Sequence, residues 1–95
     1  MARTRIERRL ADVSKRLATL RSELAIADQA LMQVDYEADD ARLRALVSET
    51  PLSEQSFSEA ARHAEAMRRH QVDIEDRIER LEAKQDELLD RMFSE

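Results

Sequence analysis

A chain of 95 residues with 39% charged and 3% aromatic side chains and a net charge of -5 has room for one domain at most. It contains no Gly and no Cys, which excludes phosphate-cradling loops and nucleophile elbows built on glycine at positive φ, and equally disulfides, thiolate metal sites and thiol catalysis. Ala, Leu, Glu, Arg and Asp dominate, the composition of a long helix or coiled coil.

The first predicted element is carried by an apolar series at alternating spacings of four and three. It runs Ile6, Leu10, Val13, Leu17, Leu20, Leu24, Ala27, Leu31, Val34, Ala38, Ala41, Ala45 without a polar interruption. Such a series marks a coiled-coil helix, placed at about residues 3–47. The series thins to Ala toward its end. The residues before it are basic (Arg3, Arg5, Arg8, Arg9), but no apolar signal-peptide core follows them. No apolar run approaches the ~18 residues of a membrane span. The chain is therefore expected in the cytoplasm, without membrane contact.

A turn is predicted at about residues 48–53. Pro51 lacks a backbone donor and pushes Thr50 away from helical dihedrals. Thr50 as N-cap and Pro51 as first helical residue is one candidate start for the next element. Ser56 with Glu59 three residues on, a capping-box spacing, is a second.

The second element, about residues 54–93, repeats the 4-3 series through Phe57, Ala60, Ala64, Met67, Gln71, Ile74, Ile78, Leu81, Gln85, Leu88 and Met92. Two helices of similar length joined by a short connection fold back antiparallel. Charge agrees. Residues 1–20 carry six basic and two acidic side chains, and residues 71–95 carry four basic and nine acidic ones. Asp35, Glu37, Asp39 and Asp40 would likewise lie near Arg62, Arg68 and Arg69. Two registers are open. One sets Leu31 near Met67 and Leu24 near Ile74; the other sets Ala27 near Ile78 and Ala38 near Met67. The first gives the tighter turn. The predicted fold is all-α, a long antiparallel two-helix coiled-coil hairpin that self-associates into a helical bundle.

The self-association rests on apolar residues outside the two series. Met32, Tyr36, Leu43, Leu46, Val47 and Leu52 lie toward the turn, and Val72, Leu89 and Phe93 lie on the second helix. Met32, Tyr36, Leu43 and Val47 form a helical stripe of their own. A two-helix hairpin buries one stripe per helix and is marginal alone, so a second stripe points to paired hairpins, with a homodimer expected. The alternative is a kink near residues 35–40 that turns these side chains back onto the partner helix.

Gln71 and Gln85 interrupt the second series. A seam amide costs stability unless paired, and pairing can fix register; both are expected to set register, or else the seam opens there to solvent. His63 and His70, with Glu59 and Asp73 about one turn away, lack the Glu-x-x-His spacing of a di-metal bundle and read as solvent-facing or interface residues. The abundant carboxylates read as solvated helix faces, because a two-helix rod offers no pocket to perturb them. No catalytic residue, metal or cofactor is expected. Arg3, Arg5, Arg8, Arg9, Lys15 and Arg16 could contact phosphates, but the negative net charge, the acidic helix alongside and the scattered aromatics disfavour direct nucleic-acid binding.

Two stretches carry resemblances. Ile74-x-x-Arg77-Ile78-x-x-Leu81-Glu82-Ala83-Lys84 resembles the returning helix of Gre-type transcript-cleavage factors, and Leu52-Ser53-Glu54 is similar to part of their acidic tip. That resemblance implies a coiled-coil hairpin that enters the secondary channel of RNA polymerase, with Glu49 and Glu54 as the acidic tip. Pro51 stands where the family carries a tip aspartate, so only Glu54 matches its motif. The segment from Asp39 to Pro51 resembles small actinobacterial coiled-coil proteins, which implies no activity. The expected function is a non-enzymatic protein-interaction or adaptor module acting through its seam and turn. The alternatives are a regulator docked on RNA polymerase and a DNA-associated protein using the Arg-rich N-terminus.

Overall fold

A computed structural model describes the backbone of residues 2–94 and the side chains of residues 3–94. Two helices account for nearly all of it: α1, Ala2–Ser48, and α2, Pro51–Ser94. They form an all-α helical hairpin. Each seam position of both 4-3 series is buried or half-buried, from Ile6 to Ala45 and from Phe57 to Met92. The alternating spacing keeps one stripe of each helix facing the other, which is why periodicity alone located the core.

The link is Glu49 and Thr50, shorter than the predicted turn at 48–53, and the second helix begins at Pro51 rather than near residue 54. Hydrogen bonding explains both boundaries. The Glu49 N–H donates to the Ala45 carbonyl at 3.0 Å, while Glu49 itself takes φ 49°. This is the single-bond left-handed cap that closes a helix C-terminus. Glycine normally fills it, so the absence of Gly did not keep this chain out of the left-handed region. Thr50 is the N-cap of α2. Its Oγ1 accepts from the Ser53 N–H at 3.1 Å, and Ser53 Oγ accepts in return from the Thr50 N–H at 3.2 Å. The Thr50 carbonyl accepts the first helical bond, from the Glu54 N–H, at 3.0 Å. The pair is a capping box with serine in the place of the usual Glu or Gln. Ser56 and Glu59, the other candidate start, lie inside α2. A link of two residues suits the tighter of the two registers.

Two compact units divide the chain, one of residues 1–24 with 73–95 and one of residues 25–72. In the first, Ile6, Val13, Leu17 and Leu88 form a buried cluster, against which Leu10, Ile78, Leu81 and Met92 pack. Leu17 and Leu88 are 1% and 0% exposed. Arg21 reaches Glu82 at 3.7 Å within this unit, an exposed pair joining the two helices. In the second, Leu31, Val34 and Ala64 are buried together, with Ala38 and Met67 against them. Arg68 Nη2 bridges to Asp35 Oδ1 at 2.8 Å, one of the charge pairings the fold-back requires. Asp40 pairs along its own helix, with Arg44 at 3.0 Å, and Glu37 accepts from Gln33 Nε2 at 3.1 Å.

Candidate interaction surface around the turn

Toward the turn the seam of the second unit is made mostly of small residues, with Leu31 and Val34 buried farther along it. Ala38, Ala41 and Ala45 of α1 and Ala60, Ala61 and Ala64 of α2 occupy its buried and half-buried positions toward the turn. Phe57 is half-buried among them, and other large apolar residues of the unit lie outside. Met32, Tyr36, Leu46 and Leu52 are between 63% and 74% exposed, Leu43 is 55% exposed and Val47 is 86% exposed. All six residues expected to form the interface are therefore on the surface.

The alternative, a kink near residues 35–40 that turns these side chains back onto α2, does not account for them: α1 is one helix over Ala2–Ser48 and all six side chains are exposed. At ~100° per residue, Met32, Tyr36, Leu43 and Val47 fall within an arc of ~60°, on the side of α1 opposite Ala38, Ala41 and Ala45. Leu46 borders this stripe. Leu52 belongs to a different face. It joins Tyr36, Asp40, Arg44, Ser53 and Ser56 around an open groove of about 470 Å³. The structure thus makes one stripe of four residues and brings only Tyr36 and Leu52 together on the groove.

Ile26 is a further exposed apolar residue of α1, outside the expected interface. It sits between the seam positions Leu24 and Ala27, and its place two residues after Leu24 was the available signal. On α2, Val72 and Phe93 are exposed and Leu89 is half-buried.

The remaining predicted residues fall as follows. Gln71 is half-buried, and its Nε2 donates to Asp28 Oδ1 at 2.7 Å, a bond between the two helices. Gln85 is half-buried as well. Glu49 and Glu54 are exposed at the turn, where backbone bonds and the Thr50–Ser53 cap hold the chain around them. His63 and His70 are both exposed, and among the described residues no group of three or more His, Asp or Glu side chains could hold a metal ion. Arg5, Arg8, Arg9, Lys15 and Arg16 are exposed, and Arg3 reaches Glu7 at 3.6 Å one turn along. No described helix is long and apolar enough to cross a membrane.

No protein-family model, no curated protein and no solved structure matches the chain.

Proposed function

We propose that this chain is a non-enzymatic helical-hairpin interaction module that binds protein through the apolar surface near its turn. One observation carries the reading: toward the turn the seam is mostly Ala, with Phe57 half-buried, while Met32, Tyr36, Leu43, Leu46, Val47 and Leu52 are exposed. Burial of apolar area stabilises by roughly 25 cal/mol per Å², so an Ala seam gains far less than a Leu seam would. Contiguous exposed apolar residues mark interaction sites in folded proteins. The groove between Tyr36 and Leu52, rimmed by Asp40 and Arg44, adds polar groups that can orient a partner.

The test is affinity capture with the wild-type chain and with a Leu43→Ser, Leu46→Ser, Val47→Ser variant, scored by mass spectrometry. A protein retained by the wild type and lost by the variant is the expected result. Identical capture by both would sink the reading.

A second reading is favoured by the exposure of Glu49, Leu52 and Glu54 together at the turn. Here the hairpin docks its tip on RNA polymerase. Co-purification with polymerase, abolished by Leu52→Ser with Glu54→Gln, is its expected outcome.

A further inference from the structure

We infer that the stripe on the outer face of α1 is the interface for a second copy of this chain, packed antiparallel about a two-fold axis between Asp39 and Asp40. The inference rests on the interaction-module reading and names the partner. Two independent features of the stripe carry it.

The first is its spacing. Met32, Tyr36, Leu43 and Val47 are separated by four, seven and four residues. That pattern reads the same in both directions, with its centre between Asp39 and Asp40. An interface of two-fold symmetry must be complementary to itself. Antiparallel pairing about that centre sets Met32 opposite Val47 of the partner and Tyr36 opposite the partner's Leu43. Leu46 then borders the partner's Met32. All five are exposed in the single hairpin and free to be covered.

The second is charge. Asp35, Glu37 and Asp39 occupy the N-terminal side of the centre, and Arg42 and Arg44 the C-terminal side, with Asp40 next to the centre itself. At ~100° per residue, Glu37, Asp40 and Arg44 flank one edge of the stripe, and Asp39 and Arg42 flank the other. A two-fold axis brings each edge against the same edge of the partner. Arg44 then faces Glu37 of the partner, and Arg42 faces the partner's Asp39, each contact occurring twice. The Asp40 carboxylates meet near the axis, where each already holds its own Arg44 at 3.0 Å. Parallel pairing would instead set the acidic segment against itself, and like charges oppose such a packing.

The absence of cysteine makes the geometry directly testable, because any introduced thiol is the only one in the chain. Asp40→Cys is expected to give a covalent dimer with a short thiol-to-thiol cross-linker. Gln29→Cys lies on the same face, 10.5 residues from the axis, so its two copies would sit ~31 Å apart in the antiparallel dimer and remain unlinked. Efficient linking of Gln29→Cys would overturn the antiparallel arrangement. Light scattering on the full chain supplies the second readout. The wild type is expected to be a dimer, and Tyr36→Ser with Leu43→Ser a monomer of unchanged helix content. Glu37→Arg and Arg44→Glu are each expected to weaken the dimer about tenfold, and the double variant to restore it. A wild type that stays monomeric across the concentration range would overturn the inference. It would leave the broader interaction reading standing, since that fails only if capture of other proteins ignores the apolar surface.

Discussion

Glu49 holds the least favourable backbone conformation of the turn. An L-residue in the left-handed region is disfavoured by roughly 1–2 kcal/mol relative to glycine, and Glu49 has φ 49°. Part of that is offset because glycine loses more freedom on folding. Glu49→Gly is therefore expected to raise stability by about 1 kcal/mol, and Thr50→Ala, which removes the N-cap acceptor for the Ser53 N–H, to lower it by about 1 kcal/mol. Urea titration followed by circular dichroism measures both. Gln71 and Gln85 separate in the same way. Gln71→Leu gains apolar contact but breaks the bond to Asp28, whereas Gln85→Leu loses no side-chain bond of that kind among the described residues. Gln85→Leu is expected to raise the melting temperature more than Gln71→Leu. Equal shifts would show that the Gln71–Asp28 bond contributes nothing net.

At the scale of the helices, the two units differ in what their seams are made of. The unit of residues 1–24 and 73–95 buries Ile6, Val13, Leu17, Ile74 and Leu88, while the unit of residues 25–72 buries Leu31 and Val34 beside Ala27 and Ala64 and turns mostly to Ala toward the turn. Truncating a fully buried leucine costs about 2–5 kcal/mol. Leu17→Ala and Leu88→Ala are each expected to destabilise by about 3 kcal/mol, measured as a fall in the urea midpoint. Truncation at the exposed Leu46 is expected to change the stability of the monomeric hairpin by less than about 0.5 kcal/mol. This layout was largely legible beforehand. The 4-3 series named the seam because only one phase of apolar residues runs unbroken from Ile6 to Ala45, and helical geometry then fixes which side meets the partner helix. The turn was legible only in outline. Thr50 and Pro51 announced a helix start, but the left-handed cap at Glu49 carries no compositional mark, since glycine is the residue that normally signals it. The choice between a kinked α1 and an exposed stripe was not legible, because Met32 to Val47 contains no Pro or Gly to force a bend and no partner sequence to explain a straight helix.

At the scale of the molecule, exposed apolar residues couple stability to association. A monomer with Met32, Tyr36, Leu43 and Val47 in water gains nothing from them. A dimer covering them stabilises the folded state by mass action, because the unfolded chain does not make that interface. Melting temperature should then depend on concentration in the wild type. The Tyr36→Ser, Leu43→Ser variant removes the interface without touching the seam, since both residues lie on the outer face of α1. Its melting temperature is expected to match that of the wild type at low concentration and to stay flat as concentration rises a hundredfold. The wild type is expected to rise by several degrees over the same range. The two curves should converge on dilution, which distinguishes loss of an interface from damage to the fold. A constant offset between them at every concentration would instead place Tyr36 and Leu43 in the stability of the single hairpin, and the exposed stripe would need another occupant.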